Sequence, residues 1–223
     1  MHSDSAFSYL CNACGRCCYH KRIQTNPYEV LRLARNRGLS TGQFMRRYLE
    51  AEGPYLRVTD EAACVFLSDK ACTVHADRPL ACRTYPLGRW VSAEGEESFR
   101  LLDPHPQTEG SYGRDGTVAE FLKAQGAQPY MEAADKYQAM FYRLFDAVQQ
   151  ILPTATGLAS EAQAALFAAD ETGRPRYMEW LDVDSMAESY CAEHRRAVPR
   201  DLDEVLSLHV LAIDQWLSKR TGE

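Results

Sequence analysis

Cys11-Asn12-Ala13-Cys14-Gly15-Arg16-Cys17-Cys18 puts four thiols into eight residues. No apolar core needs sulfur at that density. Neighbours at 17 and 18 do not bridge each other without strain, because a relaxed disulfide holds its Cα atoms farther apart than adjacent residues allow. The thiolate is both metal ligand and nucleophile. Cys11-x-x-Cys14 and Cys14-x-x-Cys17 each have the gap that lets two thiolates grip one metal. Gly15 frees the backbone to turn and aim amides at sulfur. In a helix, Cys11, Cys14 and Cys18 would share one face and Cys17 would turn to the next. Cys64, Cys72 and Cys82 follow downstream. Seven thiols overfill one tetrahedral zinc, which takes four ligands. Two zinc ions, an iron–sulfur cluster with spare thiols, or a small multinuclear centre fit the count better, and a zinc knuckle that only fastens loops together is the plainer alternative. The expected fold is α+β, predominantly α: a small metal-organised loop and strand region with a helical C-terminal half.

The rest of the chain narrows the setting. Its 223 residues are 45% hydrophobic and 10% aromatic, ordinary values for a folded globular protein. Residues 1–10 hold no apolar stretch of signal-peptide length, and no run reaches the length of a bilayer span. The expected compartment is therefore the cytosol of a bacterial-type cell, where dense cysteine motifs bind metal more often than they form disulfides. The net charge of −6 is unevenly spread. Residues 1–100 carry 14 Lys and Arg against 11 Asp and Glu, whereas residues 101–223 carry 11 against 20. Arg16, Lys21, Arg22 and Arg83 read as counter-charges to metal-bound thiolates. The overall acidity disfavours nucleic acid as a partner.

Local signals place the elements. Asn26 and Pro27 open a helix over residues 27–35 that Gly38 ends, and Ser40 caps a second helix over 41–50. Residues 55–59, 64–67 and 71–74 read as short strands, the last two joined through Ser68, Asp69 and Lys70. Residues 78–83 form one helical turn stopped before Pro86, and 90–92 pairs with 98–102. The Pro- and Gly-rich stretch 103–116 reads as loop. Helices follow at 118–125, 129–152, 158–170, 178–195 and 202–219. The division expected from composition is a cysteine-rich metal-binding region, 1–116, with a helical region, 117–223, packed on it as one structural domain.

The second constellation is Cys64-Val65-Phe66-Leu67, then Cys72-Thr73-Val74-His75, then Arg78-Pro79, then Cys82-Arg83-Thr84-Tyr85-Pro86. Together with the first cluster it resembles the YkgJ-type cysteine-cluster family, whose CxxCxxCC members are described as zinc- or iron-chelating domains and include proteins called flagellin N-methylases. The resemblance runs from about Tyr9 to Pro86. It implies that Cys11, Cys14, Cys17, Cys18, Cys64, Cys72 and Cys82 are the metal-site residues. Beside it, Arg83 reads as a donor of hydrogen bonds to a thiolate or an anionic ligand, against the plainer reading of a solvated arginine in a turn, and Tyr85 as a packing residue. His20 and His75 are the candidate non-sulfur ligands. Cys191 stands alone in a helical pattern and reads as a small buried apolar residue.

These residues point to a cytosolic, cysteine-ligated metal-binding protein. The first choice of cofactor is an iron–sulfur cluster or iron, with zinc the alternative. Its role would be redox chemistry, metal handling or protein modification. The alternatives are an enzyme resembling a protein lysine N-methylase and a non-catalytic zinc module that presents a surface to a partner. A protein substrate or partner is expected, and no membrane. The radical-SAM cysteine spacing, with gaps of three and two, is absent, since the gaps here are two, two and zero.

Overall fold

Local capping chemistry sets the first two helices. In the computed structural model, which describes residues 1–51, 53–92, 94–151 and 176–221, Asn26 accepts from the Glu29 amide at 3.0 Å while Glu29 accepts from the Asn26 amide at 2.9 Å. This reciprocal box starts α1 (Pro27–Asn36). Ser40 and Gln43 repeat it at the start of α2 (Thr41–Tyr48). The second helix is shorter than its sequence suggests: Leu49 is extended, and the Glu50 amide leaves the helix to bond Tyr55 O at 2.8 Å. Thr117 and Glu120 form a third box at α4 (Val118–Ala124). With α3 (Leu80–Thr84), α5 (Gln128–Ile151), α6 (Val183–Glu193), α7 (Leu202–Thr221) and three small antiparallel sheets, the described residues make a mixed α+β protein. The helix expected over 158–170 lies outside them.

The chain divides into two compact units, each discontinuous in sequence. The first comprises Met1–Gln24 and Leu56–Glu132. Its sheets are β1 (Ala6–Leu10) with β6 (Ser111–Thr117), β2 (Leu67–Ser68) with β3 (Ala71–Cys72), and β4 (Leu87–Val91) with β5 (Glu97–Leu101). Phe7, Leu87, Phe99, Val118, Phe121, Leu122, Ala127 and Met131 form its core. Phe7 and Phe121 meet edge to face at 5.1 Å. Each fully buried aromatic of this kind contributes about 1.5–3 kcal/mol.

Three strand expectations change here. Residues 55–59 form only isolated bridges, Val58 to Cys64 among them. The middle hairpin is tighter than expected: Asp69 and Lys70 alone make its turn, both with positive φ, as a two-residue hairpin of matching twist requires. The stretch 103–116 is not all loop, because Ser111–Thr117 pairs with Ala6–Leu10, setting Tyr9 opposite Tyr112.

The second unit comprises Thr25–Tyr55 and Ala133–Glu223. Leu31 packs with Val183, Ala187, Cys191, Val205 and Leu208. Thr41 and Asp184 clasp each other: the Thr41 amide donates to the Asp184 carboxylate at 2.8 Å, and the Asp184 amide donates to the Thr41 hydroxyl at 3.0 Å. Arg35 completes the clasp with a two-pronged ion pair to Asp184. His209 is fully buried, with Nε2 2.9 Å from Trp180 O and Nδ1 2.8 Å from the Tyr137 hydroxyl. Since a carbonyl only accepts, Nε2 carries the proton, and Nδ1 accepts from Tyr137. Among the described residues no helix is long and apolar enough to cross a membrane.

Candidate metal centre

The first cysteine cluster is not a helix. Ala13 and Gly15 both take left-handed backbone conformations, at φ 51° and 71°, and only Arg16–Cys18 closes a single tight turn. The shared helical face expected for Cys11, Cys14 and Cys18 is therefore absent. A different logic shapes the loop. The Ala13 amide donates to Cys11 Sγ at 3.4 Å, the kind of contact that steadies a thiolate. Asn12 ties the loop to Glu109 O at 2.5 Å. Gly15 is required twice over: by its positive φ, and because a Cβ there would come within 3.2 Å of Lys70 O on the β2–β3 turn.

Backbone hydrogen bonds then draw the second constellation to the first. The Cys64 amide donates to Cys18 O at 2.8 Å, and the His20 amide donates to Ala62 O at 2.9 Å. The Leu67 amide closes a turn onto Cys64 O, and β3 carries Cys72 opposite Leu67. Cys82 sits in the first turn of α3, its amide bonded to Pro79 O at 2.9 Å.

The thiols converge electrostatically. Cys17 and Cys18 are hydrogen-bonded through their side chains. That bond, opposed by burial and helped by Lys21 and Arg78, brings the Cys17 thiol down to about 7. Cys18 is pushed up, first by the same bond, then by burial and by the neighbouring sulfurs of Cys17, Cys82 and Cys64. Burial also raises Cys64, which lies within reach of Cys72 and Cys17. Arg78 senses Cys82, Cys72 and Cys11 together. Electrostatic interactions thus link six of the seven candidate thiols, drawn from three chain segments. Cys14 is half-buried between the two left-handed residues of its loop. None of these cysteines is in a disulfide. Among the described residues, no three His, Cys, Asp or Glu side chains already stand in an arrangement that would hold a metal ion.

The donor set fits a thiophilic metal. Soft thiolates select zinc, copper(I) and iron–sulfur clusters over magnesium or calcium. The bond from Cys18 and the charges of Lys21 and Arg78 ease the ionisation of Cys17 relative to an ordinary thiol. Lys21 and Arg78 supply the counter-charge.

Several assignments change on this geometry. Arg83 is neither solvated nor turned to the thiols. It is 7% exposed and lies 4.0 Å over the Tyr130 ring. Its guanidinium donates to Arg78 O at 3.0 Å, Gln125 O at 2.8 Å, the Tyr130 hydroxyl at 2.8 Å, and Ala76 O. Arg83 is a structural hub, and Arg78 is the guanidinium that faces sulfur. Arg78 in turn bonds Gln125 Oε1 at 2.8 Å and His75 O at 2.7 Å, and lies 3.2 Å from His75 Nδ1. His75 and His20 are both exposed. Cys191 is 1% exposed in the second unit's core, its thiol on Ala197 O. What the motifs did not reveal is a wall of phenols: Tyr9 packs 5.0 Å from Tyr112 and 6.2 Å from Tyr85. The signal available was the alternation of Tyr9 just ahead of Cys11 and of Tyr112 between small residues, which is weak without knowing that the two segments pair.

Residues 10–104 match the family model described as "CxxCxxCC: Putative zinc- or iron-chelating domain". No curated protein and no solved structure matches the chain. The matched span begins one residue before Cys11 and takes in the knuckle loop, both downstream hairpins and α3. The thiol-bearing stretch of this chain, residues 10–104, is thus similar to the CxxCxxCC family that this model describes.

Proposed function

We propose that the first unit holds an iron centre, an iron–sulfur cluster or bound iron, ligated from among Cys11, Cys14, Cys17, Cys18, Cys64, Cys72 and Cys82, and that the protein uses it in redox chemistry, metal handling or protein modification. The observation that supports this reading is the electrostatic linkage of six thiols from three segments, two more than a structural zinc uses. Bound iron would supply one-electron or Lewis-acid chemistry. The chain's own residues would do the rest. Cys17 offers the readiest thiolate. The Ala13 amide steadies Cys11. Lys21 and Arg78 offset the charge that several thiolates bring together, and Arg83 fixes the turn that carries Arg78.

The test is elemental analysis with an absorption spectrum of anaerobically purified protein. The expected result is iron, with visible charge-transfer absorption that bleaches on reduction or exposure to air. A colourless protein that takes only zinc, even after reconstitution with iron and sulfide, overturns the iron reading. A structural zinc is the second reading, favoured by the irregular backbone around the thiols: the loop through residues 11–18 contains only one three-residue turn. In that case the metal supplies folding energy to a region poor in regular structure.

A further inference from the structure

The Tyr85 hydroxyl is buried and has no hydrogen-bond partner among the described residues. Leaving a buried hydroxyl unpaired costs about 1–3 kcal/mol, and native proteins pair nearly all such groups. An orphan of this kind points to a partner that arrives later.

Its surroundings identify the partner. The Tyr9 ring meets Tyr85 edge-on at 6.2 Å, and Lys21 Nζ lies 6.0 Å from the Tyr85 ring centre. Lys21 is also the cation beside Cys17. Tyr9 is pushed up to about 12, chiefly by burial, with Thr108 opposing and with Cys11, Tyr85 and Cys17 all adding. Burial also raises Tyr112, with Tyr85, Tyr9 and Cys17 as further contributors. Tyr112 interacts with Tyr85 through its side chain, yet the Tyr85 hydroxyl has no partner at ordinary hydrogen-bond geometry. Tyr9 and Lys21, which flank the Tyr85 ring, are thus also electrostatic neighbours of Cys17, whose sulfur is a candidate acceptor. A thiol is a weak acceptor; a thiolate drawn into a metal centre is a strong one.

We propose that Tyr85 is a positioning residue of the metal centre, its hydroxyl donating a hydrogen bond to the Cys17 sulfur once metal gathers the thiols. This rests on the chelation reading above. It gives the variant Tyr85→Phe opposite signatures in the two states. Metal-free protein loses only an unpaired hydroxyl, so its melting temperature holds or rises. Metal-loaded protein loses a hydrogen bond to a charged acceptor, so affinity falls about tenfold or more.

The experiment titrates the full chain with Co(II) and Zn(II) against a chromophoric chelator. It compares wild type, Tyr85→Phe, Tyr112→Phe, Cys17→Ser and the double variant Tyr85→Phe/Cys17→Ser, and records melting of each metal-free form. The expected result is about tenfold weaker binding for Tyr85→Phe, with shifted thiolate-to-cobalt charge-transfer bands. Tyr112→Phe stays within about twofold of wild type, and the Tyr85→Phe effect disappears in the Cys17→Ser background. Equal affinity with an unshifted cobalt spectrum overturns the assignment. So does a lowered melting temperature in metal-free Tyr85→Phe, because the hydroxyl would then have a partner in the empty protein. Wild type that takes up neither metal overturns the chelation reading itself.

Discussion

Replacing Arg83 by methionine separates a scaffold arginine from a site arginine. Four acceptors face its guanidinium: Arg78 O, Ala76 O, Gln125 O and the Tyr130 hydroxyl. Methionine fills much of the volume and satisfies none of them. Each lost bond is worth about 1 kcal/mol net, and acceptors stranded away from water cost more. Allowing some of the carbonyls to find water, the first unit should lose about 3–5 kcal/mol. Arg83→Lys keeps the charge, but a single ammonium cannot span a fork of acceptors; about 2–3 kcal/mol is expected to go. Hydrogen exchange of peptides covering residues 76–90 and 118–132, followed through a urea series, reads this unit directly. The affected amides should exchange faster in both variants, with the second unit unchanged. A loss below about 1 kcal/mol in Arg83→Met would refute the hub, and loss of metal binding without destabilisation would restore Arg83 to the thiols.

Other outcomes follow from particular contacts. His209 is brought down to about 4 by burial, against the pull of Trp180 O, so it is neutral in the fold while the unfolded chain takes up a proton below 6.5. Stability should therefore fall as pH drops from 6.5 to 4, by about 3 kcal/mol in all, and stay flat above; acid titration of urea midpoints checks this, and His209→Gln should flatten the curve. Cys64→Ser and Cys82→Ser should lower metal content, while Cys191→Ser leaves it unchanged; full retention in the first two, measured by elemental analysis, would remove the downstream segment from the site. Gly15→Ala should cost about 1–2 kcal/mol for its left-handed backbone and weaken metal binding by displacing the loop from Lys70; unchanged affinity in chelator competition would show that the loop tolerates the shift.

What could be read ahead of the structure was local. Asn26 before Pro27, and Ser40, announce their helices because a cap acts on amides only two or three residues along. Cys191 was legible for a similar reason, as a lone thiol in an apolar helical pattern. The pairing of Ala6–Leu10 with Ser111–Thr117 was not: its partners lie about a hundred residues apart, and Gly113 and Gly116 imitate loop chemistry. Arg83 was misassigned because adjacency to Cys82 is a statement about the chain, whereas three carbonyls and a phenol decide where its guanidinium points. The cysteine loop departed from helical geometry because Ala13 and Gly15 both turn left-handed, and spacing alone does not report φ.

The nesting of the two units carries a consequence for how the chain comes to be folded. The first unit is complete in sequence at Glu132, while Thr25–Tyr55, inserted within it, belongs with residues up to the end of α7. On a ribosome adding 5–20 residues per second, α1 and α2 therefore emerge on the order of 10 s before α6 and α7 exist. Throughout that interval Leu31, fully buried in the finished protein against Val183 and Leu208, has no mate. Pausing late in synthesis, or truncation after α5, would lengthen the exposure of that face and invite aggregation even though every thiol of the metal-binding stretch has already been made.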